Sequence, residues 1–138
     1  MTYPLGVWQA MLACAYVADK AALGDDGFVA TARLAADLGL PAPSAAALLR
    51  RLTAAGLIET REGARGGVRL ARAAQEITLD DIVAGMQQAR PLFATDHHIQ
   101  VSGPTPARRQ KQLRTALQNA ENALHQSLQE VTLADLTR

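Results

Sequence analysis

The chain has 138 residues, 49% of them hydrophobic and 20% charged, with a formal net charge of +1. This suits one domain, or one domain with an appended helix, and excludes a disordered or collagen-like chain. One cysteine, Cys14, excludes an internal disulfide and any cluster or zinc site that needs two thiolates from one chain.

Aromatics are only 4%, so Ala, Leu, Val and Ile must build the core, which suits closely packed helices. Leu5 to Leu23 reads as the first helix: Val7, Met11, Ala15 and Ala18 recur at three- and four-residue spacing, and Leu12, Tyr16 and Val17 widen the stripe. Gly24-Asp25-Asp26-Gly27 ends it with turn residues. After Phe28-Val29-Ala30, Thr31 is the expected N-cap of a short helix, Ala32 to Leu38, and Gly39 stands where a C-cap glycine belongs. Leu40-Pro41-Ala42-Pro43 reads as a tight connection, because proline interrupts helix. Ser44 is the expected cap of a second helix, Ala45 to Ala55, with Ala45, Leu48, Leu49 and Leu52 inward and Gly56 as its stop. Two short helices joined by such a turn form a helix-turn-helix candidate, although any small bundle contains helix pairs. Leu57 to Arg61 reads as a strand, Glu62 to Gly67 as a glycine-rich turn and Val68 to Ala71 as the returning strand. A helix pair followed by a glycine-tipped hairpin is a winged helix-turn-helix.

Ile77 to about Gln88 reads as a further helix, with Thr78 as N-cap and acidic residues in its first turn. Ala89 to Pro106 holds Pro91, Gly103, Pro104 and Pro106 and reads as an irregular loop. Ala107 to Val131 reads as one helix, roughly 35 Å long at 1.5 Å per residue. Its seam of Leu113, Leu117, Ala120, Leu124, Leu128 and Val131 is narrow and flanked by polar residues. A lone helix cannot bury such a seam, so it is expected to pair with its copy in a homodimer; packing back on its own domain is the alternative. The expected fold is mainly α with a small β-hairpin. A winged helix-turn-helix domain spans residues 1–88, a loop 89–106, and a dimerisation helix and tail 107–138. Met1-Thr2-Tyr3-Pro4 lacks the basic stretch of a signal peptide, and no apolar run approaches the roughly 20 residues that span a bilayer. A soluble, cytoplasmic protein without a membrane partner is expected.

From Arg33 to Arg72 the basic residues are Arg33, Arg50, Arg51, Arg61, Arg65, Arg69 and Arg72, against Asp37, Glu59 and Glu62. The basic excess of the whole chain therefore sits on the helix-turn-helix and wing, as phosphate contacts require. All seven are arginines, whose planar forks suit phosphate and narrow minor grooves. The bland alternative is a solvated charged face.

In order and spacing, Gly56-Leu57-Ile58, Gly63-Ala64-Arg65-Gly66-Gly67, Leu70-Ala71-Arg72 and Ile77-Thr78-Leu79-Asp80-Asp81-Ile82-Val83 resemble the Rrf-two family of bacterial regulators, the IscR type. The resemblance covers nearly the whole chain. It implies a homodimeric regulator of transcription that binds double-stranded DNA. The helix near Ser44 would enter the major groove, and Gly63 to Gly67 would lie along the minor groove or backbone, the glycines allowing close approach to DNA.

Three departures follow. Cluster-binding members carry three cysteines in the loop before the long helix, and Ala89 to Pro106 has none, so no cofactor is assigned. His97 and His98 in that loop could join a metal site, although paired histidines are more often just exposed; no metal ligand is assigned. Glu62 stands where the family often has Arg, with Arg61 beside it. The second helix opens Ser44-Ala45-Ala46-Ala47 where larger polar groups are usual, and alanine offers no bidentate base contact. Base reading would fall on Ser44, Arg50, Arg51 and Thr31, supplemented by Arg61, Gly63, Arg65, Gly66 and Gly67 in the wing, with modest specificity that depends on DNA shape.

Cys14 beside the apolar stripe is most simply a packing residue; a redox sensor would need an exposed thiolate of low pKa. Trp8, Phe93 and His97 are candidate walls of a pocket for an unknown small-molecule effector between the first helix, the helix of Ile82 and the loop around Phe93. Arg108, Arg109, Lys111 and Arg114 are either a solvated face, the reading slightly preferred, or a second phosphate contact. No catalytic constellation is visible, so an enzyme is not expected. The chain reads as a sequence-specific DNA-binding repressor. The alternative is a winged-helix interaction module that has lost operator reading.

Overall fold

The computed structural model describes residues 3–24 and 27–136. Helix α1 (Tyr3–Ala22) is the central column. It buries Ala10, Ala13, Cys14, Val17 and Ala18 against α2 (Thr31–Leu38), α3 (Ala42–Ala54), α4 (Leu79–Gln87), strand β2 (Gly67–Leu70) and the short α6 (Leu133–Leu136). The small residues on this face let the neighbouring helices approach closely. Leucine and isoleucine fill the remainder: Leu34, Leu52, Leu57, Ile77, Ile82 and Leu133 are fully buried. Each contributes about 1.5–3 kcal/mol of transfer free energy.

Helix α3 turns Ala45, Leu48, Leu49 and Leu52 inward, the four positions the periodicity predicts. The helix starts earlier than its prolines suggest. Pro41 is its N-cap and Pro43 lies in its first turn, so Ser44 is the third helical residue and not the cap. Proline is tolerated there because first-turn N–H groups have no helical partner to lose. The same correction applies to α5 (Pro104–Gln129), which starts at Pro104 rather than Ala107 and carries Pro106 in its first turn. Thr31 is also not a cap: Ala30 occupies that position without a side-chain bond, and Thr31 is the first helical residue. Gly39, at φ 67°, closes α2 as expected.

β1 (Ile58–Arg61) and β2 form an antiparallel hairpin in which Glu59 faces Arg69 and Arg61 faces Gly67. Val29 adds a third, single-residue rung. Its N–H donates to Val68 O at 2.8 Å, and Val68 N–H donates to Val29 O at 2.9 Å. A 3-10 turn, Ala74–Glu76, leads to α4. Thr78 caps α4 in a reciprocal box: its Oγ1 accepts from Asp81 N–H at 3.0 Å, and its own N–H donates to Asp81 Oδ2 at 2.9 Å.

The segment after α5 returns to the core. Leu79 N–H donates to Val131 O and Leu133 N–H to Ile77 O, both at 2.9 Å, and Leu133 is buried beneath them. Helix α5 itself buries no residue fully. Leu117, Leu124 and Leu128 of its seam are half-buried, whereas Leu113 is 66% exposed. No described helix is long and apolar enough to cross a membrane.

Candidate nucleic-acid interface

With its apolar positions committed to the core, α3 exposes Ser44, Ala47, Arg50, Arg51 and Ala54. Thr53 fastens this helix to the wing: its hydroxyl donates to Leu49 O at 2.7 Å and lies 3.0 Å from Thr60 Oγ1 on β1. Between them runs a groove lined by Thr31, Ala46, Arg50, Thr53, Thr60 and Glu62. The outer face of α3 and the wing thus border one cleft.

The wing is braced by its own arginines. The Arg61 and Arg69 guanidinium groups lie over the Phe28 ring, 4.2 and 4.5 Å from its centroid. Arg61 Nη2 also donates to Arg65 O at 2.6 Å, and Arg69 pairs with Glu59 across the strands. Arg61, expected as a DNA ligand, thus also acts as a strut that shapes the tip, and its side chain and that of Arg65 are both exposed. Sequence reasoning missed Phe28, whose signal was a lone aromatic one residue before the Val29 rung.

Two of the wing glycines serve a purpose other than the expected approach to DNA. A Cβ on Gly66 would lie 2.0 Å from Arg61 O, and one on Gly67, at φ 142°, would lie 2.0 Å from Val29 O. Gly67 is buried. These glycines let the chain approach itself. Gly63, at φ 102° with open space around it, is exposed and supplies the turn.

Ion pairs sort the local charge. Arg33 lies 3.9 Å from Asp37, Arg69 holds Glu59, and Arg72 lies 3.6 Å from Asp81. Among the described residues Arg50, Arg51 and Arg65 pair with no carboxylate. Glu62 is exposed beside Arg50 in the groove and is likewise unpaired. Between Arg33 and Arg72, the guanidinium groups without a carboxylate partner among the described residues thus lie on the outer face of α3 and in the wing.

The candidate effector residues do not converge. Trp8, 59% exposed, borders a small hollow with Leu5, Leu12 and the α2–α3 turn at Leu38 to Leu40. Phe93 borders a different one, with Pro91, Arg114 and Leu117. His97 and His98 are exposed and line neither. The expected single pocket walled by Trp8, Phe93 and His97 is thus absent within one chain among the described residues. Cys14 is fully buried, and burial pushes its thiol up to about 12, since a thiolate would lose its hydration. It is a packing residue and not an exposed sensor.

The polar cluster that sequence reasoning missed joins α4 to α5. His125 Nδ1 meets Asp80, its Nε2 lies 3.6 Å from Glu121, Gln129 donates to Asp80 at 3.2 Å, and Leu92 N–H donates to Glu121. The hydrogen bond to Asp80 raises the His125 pKa above its ordinary 6.5, outweighing partial desolvation.

Comparison with known proteins locates this architecture. The Rrf2 family model, described as an iron-dependent transcriptional regulator, matches residues 7–138. Protein aau3 of Rhizobium meliloti is 37% identical over 91 residues, covering 66% of this chain and 58% of that protein. The HTH-type transcriptional repressor NsrR of Streptomyces coelicolor is 28% identical over 108 residues, covering 78% of this chain and 70% of that one. The fold matches CymR, the global cysteine regulator of B. subtilis, with a TM-score of 0.67 at 22% identity over 96% of this chain and 92% of that one. It matches T. potens IscR with a TM-score of 0.63 at 24% identity over 99% and 83% of the two chains.

The iron in the family description has no evident ligands here. The sole cysteine is buried in α1, and the loop before α5 contains no cysteine. Among the described residues no three His, Cys, Asp or Glu side chains converge on a metal-sized site. The residues present do not fit an iron–sulfur cluster held by thiolates of this chain. Fold and family match nevertheless agree over almost the full length, and the chain belongs to the Rrf2 family of transcriptional regulators.

Proposed function

We propose that this regulator is a repressor that binds double-stranded DNA as a homodimer, with α3 in the major groove and Arg65 of the wing on the flanking backbone or minor groove. The carrying observation is the exposure, without a carboxylate partner among the described residues, of Arg50 and Arg51 on the outer face of α3 and of Arg65 at the wing tip, with Arg50 lining the groove between them, in a chain of net charge +1. Such localised charge is what phosphate neutralisation needs. The repressor NsrR among its relatives supports the sign of regulation. The half-exposed leucine seam of α5 supports the dimer, which would address half-sites roughly 34 Å or a multiple apart. Alanines on the exposed face of α3 leave base reading to Ser44, Arg50 and Arg51, with shape contributing more than usual. The control signal is something other than a cluster held by the chain's own thiolates.

A second reading, an interaction module without operator recognition, is favoured by the same alanines and by the unpaired Glu62 facing the cleft. Selecting random duplex DNA on the purified protein at low salt separates the two. A two-fold symmetric motif is the expected result. Retention without a motif would reduce the role to backbone binding, and no retention would overturn the DNA reading in favour of the module.

A further inference from the structure

We infer that the N-terminal half of α5 carries a second nucleic-acid contact: a cationic face of Arg108, Arg109 and Lys111 that binds duplex phosphates flanking the half-site read by α3. This rests on the DNA reading above. Between Asp96 and Glu121 the chain has no acidic residue. Arg108, Arg109, Lys111 and Arg114 are all exposed. None of the four meets a carboxylate among the described residues. Arg109 donates to Gln112 Oε1 at 3.0 Å and Arg114 to Thr95 O at 3.2 Å, while the side chains of Arg108 and Lys111 have no partner there. Arg108 with Lys111, and Lys111 with Arg114, are like charges three residues apart on one helix, an arrangement that repels. No carboxylate within the described fold offsets that repulsion, so an external polyanion is the natural complement.

The anchoring of α5 says where such a partner would sit. Among the described residues, the side-chain hydrogen bonds that tie α5 to the rest of the molecule all lie C-terminal to this face: Arg114 on Thr95, Glu121 on Leu92, His125 and Gln129 on Asp80. Residues 104–113 run on past the last tie, roughly 15 Å of helix at 1.5 Å per residue. A duplex is the favoured occupant because α3 and the wing offer the same unpaired guanidinium chemistry, which grips phosphate oxygens in pairs. An acidic protein is the competing occupant.

The test replaces Arg108, Arg109 and Lys111 together by Gln, with R108K/R109K as the charge-preserving control. Fluorescence anisotropy follows binding between about 50 and 200 mM salt, on the selected motif alone and on the motif with flanks of about ten base pairs. On the flanked duplex the triple variant is expected to lower the slope of log affinity against log salt by about 2.7 per protomer, about 5.4 for the dimer with both flanks engaged. Wild type then loses about 40-fold more affinity than the variant across that range for each flank engaged, about 1,800-fold for both. Base preference stays unchanged, the lysine control keeps the slope, and the bare motif shows no difference. Equal slopes and affinities of wild type and triple variant on the flanked duplex would overturn the inference and point to the acidic protein. If wild type itself retains no duplex, the DNA reading has failed first and this contact falls with it.

Discussion

Replacing Gly67 by alanine tests whether the wing is held by chain-to-chain contact. The new Cβ would lie 2.0 Å from Val29 O and 2.5 Å from Val29 C, both backbone atoms that cannot rotate away. A φ of 142° adds a further penalty of about 1–2 kcal/mol for any L side chain. Relief requires Val29 to move off β2, which breaks the 2.8 and 2.9 Å hydrogen bonds of the Val29–Val68 rung. Both residues are buried, so each group left unpaired costs about 1–3 kcal/mol. Counting one such penalty for each of the two hydrogen bonds, the sum is about 3–8 kcal/mol, a large part of the typical stability of a domain. In thermal unfolding followed by circular dichroism, Gly67→Ala should lower Tm by at least about 10 °C. Gly39→Ala is the control. It shares a positive φ, 67°, but faces open space, so it should lose only about 1 kcal/mol, or a few degrees. A Gly67→Ala protein no less stable than Gly39→Ala would refute the close-approach account and return Gly67 to the DNA-facing role.

Two further outcomes follow from side chains in and around the core. Because pairing with Asp80 raises the His125 pKa in the folded state, its stabilising contribution is full below about pH 6.5 and fades as pH rises through the raised value. Urea unfolding across pH 5–9 should show that loss in wild type and not in His125→Asn; parallel profiles would mean the α4–α5 clamp is not titrating. Cys14, buried with its thiol pushed up to about 12, should be alkylated by iodoacetamide only as fast as the protein opens. Reaction at the rate of a free thiol in the native protein would revive the redox-sensor reading.

Features set by neighbours in sequence were legible. The inward positions of α3, Ala45, Leu48, Leu49 and Leu52, follow from a period of 3.6 alone. The Thr78 cap spans three residues, and Gly39 closes α2 through bonds to Ala35 and Ala36. The helix starts at Ala42 and Pro104 are not legible locally, because proline reads equally as a breaker or as a first-turn residue, and which it is depends on where the helix begins. The concentration of arginine between residues 33 and 72 was also plain from order alone.

What each of those arginines does was decided by the tertiary structure. Arg61 becomes a strut only because Phe28, far back along the chain, lies beneath it, and Arg65 is presented only because that strut holds the tip. Gly67 is needed because Val29 arrives at its back, an encounter between segments that no local pattern records. The α4–α5 clamp joins Asp80 to His125 across 45 residues, so its partners meet only once both helices have packed. Periodicity and turn chemistry act over a few residues and are written locally. Burial, pairing and the protonation of a side chain depend on what the folded chain brings against it.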